Sequence, residues 1–437
     1  MASAWVRPAE ASRISFIRDA EIEDTIRVFA SPLFLAAGLE PSAVHIYLVN
    51  DRALNAFVAG GQRLFVNTGL IIRTEHPGQL IGVIAHETGH IAGGHLVRTR
   101  EAVANATATQ IVAMILGGIA AAGAGHGDGV GAAILGGQSA GMRSFFQYSR
   151  TQESSADHAG MKFLDDNGWS AVGLQEFFRV LEGQDLLSTD RQDPYMRTHP
   201  LTRERIDRVA EHIQKSPFTK AAFPKDFDVR HRRMRAKLVA FMETPGTALR
   251  LYKETDNSLE SRYARTVAYY RKLELDKAHQ MIDGLIAENP GDPYFHELKG
   301  QMLFEKGQVA ESLAPYRMAV KLMPSSPLLR ADLAKVQLEL EDPKQLDEAI
   351  ANLQMALSFD KDDPSNWRRL AIAYGRKGDE GMSALALGEE ALLQNKPDIA
   401  KFQAVKAEKL LPHGSRAWLQ AQDVLQAADE KAKAKDR

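Results

Sequence analysis

The stretch His86-Glu87-Thr88-Gly89-His90 places two imidazoles four residues apart, with a carboxylate directly after the first. Residues four apart lie on one face of an α-helix, about one turn apart. Two imidazoles so placed can hold one tetrahedral Zn²⁺, and Glu87 between them can take a proton from an attacking water. The motif lies in Leu80–His95, LIGVIAHETGHIAGGH, where an apolar run leads into the histidines.

A zinc site that keeps one position open for chemistry needs a third protein ligand. In Tyr148–Gly160, YSRTQESSADHAG, Glu153 and Asp157 are again four apart. Glu153 is the candidate third ligand. Asp157, one turn on, is the candidate acceptor for the free ring nitrogen of a ligating histidine. An E-x-x-x-D pair taken alone is ordinarily a solvated helix face, and its weight here comes from the upstream H-E-x-x-H. His95 and His158 compete for the third position and rank behind Glu153. His95 follows Gly93-Gly94, where the helical register need not hold.

Elements that would position these residues can be read around them. Asn55–Leu70, NAFVAGGQRLFVNTGL, has two short alternating stretches joined at Gly60-Gly61, which predicts a β-hairpin just before the first histidine helix. Farther on, Thr198–Ile206 reads THPLTRERI, with His199 on a loop whose backbone Pro200 restrains. HETGH, the E-x-x-A-D form of Glu153–Asp157 and this T-H-P-L-x-x-x-R-I together resemble the zinc metallopeptidase family of HtpX and the CAAX prenyl proteases. The ordered motifs span roughly residues 15–215.

That resemblance implies an α+β, zincin-like peptidase domain, mostly helical with a small β-sheet, and one Zn²⁺ per chain held by His86, His90 and Glu153. It implies that Glu87 accepts the water's proton and delivers it to the leaving amine. His199 then either closes the metal's open position, giving a self-inhibited enzyme, or stabilises the transition state. Arg205 would help to neutralise the developing oxyanion. The exposed edge of the hairpin could hold an extended peptide by backbone pairing, or simply pack on the zinc helix. The chain has no cysteine, which excludes a thiol protease, and no G-x-S-x-G supports a serine mechanism.

At 437 residues the chain is long enough for two or three cores. Its 44% hydrophobic and 25% charged residues are ordinary for folded proteins, and a formal charge of -2 gives no overall basic footprint for nucleic acid. The basic run Arg230–Lys237 could touch an acidic surface, but reads first as a solvated helix face. Zero cysteines rule out structural disulfides and fit either redox compartment. Met1–Glu10 has no charged segment followed by an apolar one, so no secretion signal is expected there. The resemblance nevertheless implies a periplasmic location, with a cytoplasmic one as the alternative. Ala106–Met142 is rich in Ala and Gly, broken by His126–Gly129, and too interrupted for a membrane span. It reads equally as a lid or helical hairpin that could touch a membrane surface, or as two core helices.

Beyond a connector at 216–260, Asn289-Pro290-Gly291-Asp292-Pro293 and Met323-Pro324-Ser325-Ser326-Pro327 align at a spacing of 34. Ala278, Ser312 and Ala349 fall at matching small-residue positions, with a three-residue insertion before the last. A 34-residue period with small residues and closing prolines predicts an all-α, TPR-like solenoid over 261–425. The pattern degenerates beyond Asp379, and a charged tail is expected at 426–437. Such a solenoid would recruit protein or peptide substrates, or cap the cleft. With the family, its partners would be β-barrel outer-membrane proteins and their assembly machinery. The expected function is zinc-dependent proteolysis of misassembled envelope proteins. The competing one is a chaperone-like scaffold with a latent peptidase site.

Overall fold

Short runs of Val, Ile, Phe and Tyr between turn residues build the four strands of the computed structural model, which describes residues 15–94, 150–182 and 194–435. These are β1 (Phe16–Ile17), β2 (His45–Val49), β3 (Ala56–Ala59) and β4 (Arg63–Asn67), in the order β1-β2-β4-β3. β2 and β4 run parallel and the other pairs antiparallel. Gly60 and Gly61, at φ 58° and 94°, turn β3 into β4, a geometry that side chains resist. The register places Tyr47 opposite Phe65, and Phe65 opposite Phe57. Their rings stack with centroids 5.0 and 4.8 Å apart, an aromatic ladder that ties three strands together.

The chain divides into two units, Ile22–Leu238 (with Met1–Arg18) and Val239–Arg437 (with Asp19–Glu21), and the division falls inside a helix. In the first unit α1 (Ala20–Ala36, from Ile22 on) and α2 (Thr68–Arg73) precede α3 (Pro77–Ala92), the helix of the HETGH motif. Pro77 opens α3 where a missing N–H costs nothing. Every residue from Pro77 to His90 is buried, because α3 is apolar around its circumference apart from Gln79, which hydrogen-bonds Glu75 and Glu176, and the motif itself. It packs against β3, against α4 (Arg150–Asp166) and against α5 (Val172–Glu182).

Backbone packing is close where α3 crosses α4. A Cβ at Gly89 would lie 2.5 Å from the carbonyl oxygen of Ala156, and one at Gly160 would lie 2.9 Å from that of Ala85. Two missing side chains therefore let the histidine helix and the Glu153 helix touch backbone to backbone.

The unit continues through α6 (Pro194–Thr198), α7 (Arg203–Lys215) and α8 (Lys225–Met242). The basic run on α8 differs from its expected role. His231, Met234, Ala236, Lys237 and Leu238 are buried, Arg235 donates to the Ile72 carbonyl, and Arg230 pairs with Asp24 and Asp226. Spacing alone does not distinguish a solvated arginine face from one whose stems cover a core.

The second unit opens with α9 (Pro245–Leu251) and continues as five helix pairs. They are α10 (Leu259–Arg271) with α11 (Leu275–Glu288), α12 (Pro293–Glu305) with α13 (Val309–Leu322), and α14 (Pro327–Glu339) with α15 (Leu346–Phe359). Then come α16 (Pro364–Lys377) with α17 (Glu380–Leu393), and α18 (Pro397–Leu410) with α19 (Arg416–Lys435). Asp292, Ser326 and Asp363 cap the helices opened by Pro293, Pro327 and Pro364. Ala278, Ser312 and Ala349 are fully buried at the pair contacts. The inserted residues appear as the short 3₁₀ turn Pro343–Gln345. Regular pairing continues past Asp379, and Asp429, Glu430, Lys431, Lys433 and Lys435 lie in α19, which runs to Lys435. The architecture is thus a mostly helical α+β unit with a small sheet, followed by an all-α, TPR-like unit.

No described helix is long and apolar enough to cross a membrane. Met1–Glu10, His95 and Ala106–Met142 lie outside the described residues.

Substituting Ala at Gly89 or Gly160 should lower stability by about 1–3 kcal/mol, since backbone and not a flexible side chain would have to move. Urea unfolding of the two variants checks this. An unchanged midpoint would mean that α3 and α4 can separate freely.

Candidate metal centre

Four buried side chains from three elements converge in the first unit. His86 and His90 come from one face of α3, Glu153 from the first turn of α4, and His199 directly follows α6. One donor atom from each lies within 4.8 Å of every other. His90 Nε2 is 3.1 Å from His86 Nε2, and Glu153 reaches them at 3.3 and 3.5 Å. His199 Nδ1 is 3.1 Å from Glu153 Oε1 and 3.4 Å from His86 Nε2. All four are 0% exposed.

The loop chemistry sets His199. Its backbone N–H donates to the Tyr195 carbonyl at 2.8 Å, ending the α6 turn, and Pro200 cannot extend it. Thr202 then caps α7 by accepting from the Arg205 N–H, which fixes Arg205 in the first helical turn.

Behind the cluster stands a second layer. Asp157 Oδ1 accepts from His86 Nδ1 at 2.8 Å, which leaves Nε2 turned to the cluster. Arg205 grips Asp157 with two nitrogens, at 2.6 and 2.9 Å, and reaches Glu153 Oε2 with Nη1 at 2.6 Å. Nη1 also donates to the Pro200 carbonyl at 2.9 Å, and the guanidinium lies over the Phe178 ring. Arg205 is 1% exposed, and its donors point at the acids of α4. Its place is therefore behind the ligands, against the acids of α4.

Charge balance follows from these contacts. Burial opposes a charge on His86, but Asp157 and Glu153 outweigh it and raise its pKa to about 9. On His90 burial prevails and the pKa falls well below the usual imidazole value. Burial alone would raise Glu153, yet His199 and the other two histidines hold it well below the usual carboxylate range. Asp157 is likewise lowered, with Arg205 overriding its burial. Glu87 differs from both: burial pushes its pKa up, and neither carboxylate oxygen has a hydrogen-bond partner among the described residues. His199 Nε2 stands 3.6 Å from Glu87 Oε1.

This donor set fits a divalent metal. Imidazole nitrogens and one carboxylate oxygen are the ligand types zinc takes. The buried Glu153 and Asp157 face Arg205, and a divalent cation at the cluster would add positive charge beside these acids.

His158 is exposed on α4 and does not join the cluster. Sequence reasoning passed over Tyr195, whose ring stacks on His199 at a centroid distance of 4.4 Å. Its spacing of four residues from His199 was the available signal.

Residues 17–213 match the family described as Peptidase family M48. A Beta-barrel assembly-enhancing protease of Yersinia pestis is 25% identical over 402 residues, covering 91% of this chain and 81% of that protein. The protein of that name in Escherichia coli K12 is 25% identical over 424 residues, covering 92% and 81%. Metalloprotease LoiP of Escherichia coli K12 is 28% identical over 175 residues, covering 40% and 64%. The chain is thus similar to metalloproteases along most of its length, and the family implies a metal.

Removing the Asp157 carboxylate charge should loosen the metal without removing a ligand. Asp157→Asn is expected to weaken metal affinity about 10–100-fold in a chelator competition. An affinity equal to wild type would exclude Asp157 from holding His86.

Proposed function

Starting from residues 17–213 as a peptidase domain of family M48, a metalloprotease, we propose a zinc endopeptidase that is closed by its own histidine and acts on misassembled envelope proteins. The observation that carries this reading is the buried convergence of His86, His90, Glu153 and His199. His86, His90 and Glu153 would hold one zinc per chain, and His199 would take the position a substrate needs. Zinc bound there supplies Lewis-acid polarisation of the scissile carbonyl and a more acidic water.

Glu87 handles the proton. Its carboxylate is buried beside the cluster, without a hydrogen bond among the described residues and with its pKa raised, so a proton taken from the attacking water is well accommodated. It then delivers that proton to the leaving amine. Asp157 fixes the orientation of the His86 ring, and Arg205 holds Asp157 and Glu153 in place. Turnover requires His199 to leave the cluster, and once displaced it can assist the reaction.

The TPR-like unit would bind the substrate or a partner machine. The names of the relatives that cover most of this chain support β-barrel proteins in assembly as the substrate class, and with it a periplasmic location. The placement of His199 also favours a second reading, a binding protein whose peptidase site is normally off.

Zinc content and casein cleavage of wild type, Glu87→Gln and His199→Ala test this together. One zinc should bind in each, His199→Ala should cleave faster than wild type, and Glu87→Gln should fall about 10²–10⁴-fold below His199→Ala. Zinc with no cleavage by any of the three would favour the binding protein. Absence of zinc from all would sink the site.

A further inference from the structure

Tyr195 sits against the cluster without being part of it. Its ring lies nearly parallel to the His199 imidazole, 25° between planes, with the centroids 4.4 Å apart. The Phe177 ring of α5 meets it edge-on, centroids 5.2 Å apart, so the tyrosine is held between a core helix and the histidine. The backbone ties the same two residues, since the His199 N–H donates to the Tyr195 carbonyl. Tyr195 is 0% exposed and its hydroxyl has no hydrogen-bond partner among the described residues. A phenylalanine would make the same stack without burying an unpaired hydroxyl, which ordinarily costs stability.

We infer that Tyr195 is a positioning residue: its ring holds His199 in the ligand cluster and so sets how readily the histidine gives way to an incoming ligand. This rests on the reading that His199 closes the metal site. An aromatic shelf restricts an imidazole that would otherwise swing on the loop before Pro200. Stacked rings are strengthened by offset contact beyond their area, and without the stack the closed arrangement loses part of its advantage.

The test is a ligand titration that needs no turnover. Full-length protein is loaded with Co²⁺, and acetohydroxamate binding is followed by the visible absorption of the metal. Wild type, Tyr195→Phe, Tyr195→Ala, Tyr195→Leu and His199→Ala are compared, with thermal unfolding alongside. His199→Ala should bind acetohydroxamate most tightly. Tyr195→Ala should bind roughly five- to tenfold more tightly than wild type, matching the loss of one aromatic contact. Tyr195→Phe should bind as wild type does and unfold at an equal or higher temperature. Tyr195→Leu, which keeps apolar bulk against Phe177, should behave as Tyr195→Ala and carries the test if the alanine variant does not fold. If His199→Ala gains affinity while Tyr195→Ala and Tyr195→Leu do not, the positioning role is overturned and the closure by His199 stands. If His199→Ala binds as wild type does, both fail.

Discussion

Everything in the first unit depends on how closely two helices can approach. Ligands from α3 and α4 must meet within one metal's reach, and ordinary side chains at the crossing would hold the helices farther apart. Gly89 and Gly160 remove that spacing, so the backbone of each helix lies against the other. The sheet and α5 then press on α3 from other directions and bury it from Pro77 to His90. A helix confined in this way cannot rotate, and His86, His90 and Glu87 inherit its rigidity.

Rigidity alone does not make a site, because the same packing strips water from several charges. The structure answers with a chain of contacts in which each group settles the next. Arg205 neutralises Asp157 and reaches Glu153, Asp157 takes the proton-bearing side of His86, and His86 turns its other nitrogen inward. Buried ionic groups contribute little to stability on balance, but removing one partner strands the other. That is why Arg205 belongs with the ligands in any account of the centre although it is not one of them.

Much of this was legible in the chain itself. The i, i+4 spacing of His86 and His90 and of Glu153 and Asp157 is a local property of helices, and the 34-residue step of the repeats is one too. The hairpin was readable from Gly60-Gly61, where the backbone leaves few alternatives. What could not be read depends on contacts distant in sequence. Arg205 looks like a surface arginine on a charged helix until Asp157 and Glu153 are brought beneath it. The α8 arginines look solvated until Ile72 and Asp24 are placed beside them. Tyr195 carries no motif, since stacking on His199 needs the turn of α6 and the Phe177 wall together. The repeats past Asp379 faded as a pattern because helix pairs tolerate wide substitution while keeping their packing.

Glu87 shows what this arrangement implies for the domain as a product of selection. Its carboxylate is buried and has no hydrogen-bond partner among the described residues, in a core where Glu153 and Asp157 are each gripped by Arg205. A desolvated, unsatisfied acid lowers the stability of the fold that contains it. The domain is therefore held short of the robustness its packing could deliver, at the one position where a proton must move. Drift toward a sturdier protein is open here through a single codon, a methionine in place of this glutamate, and every lineage that took it would keep the shape and lose the chemistry.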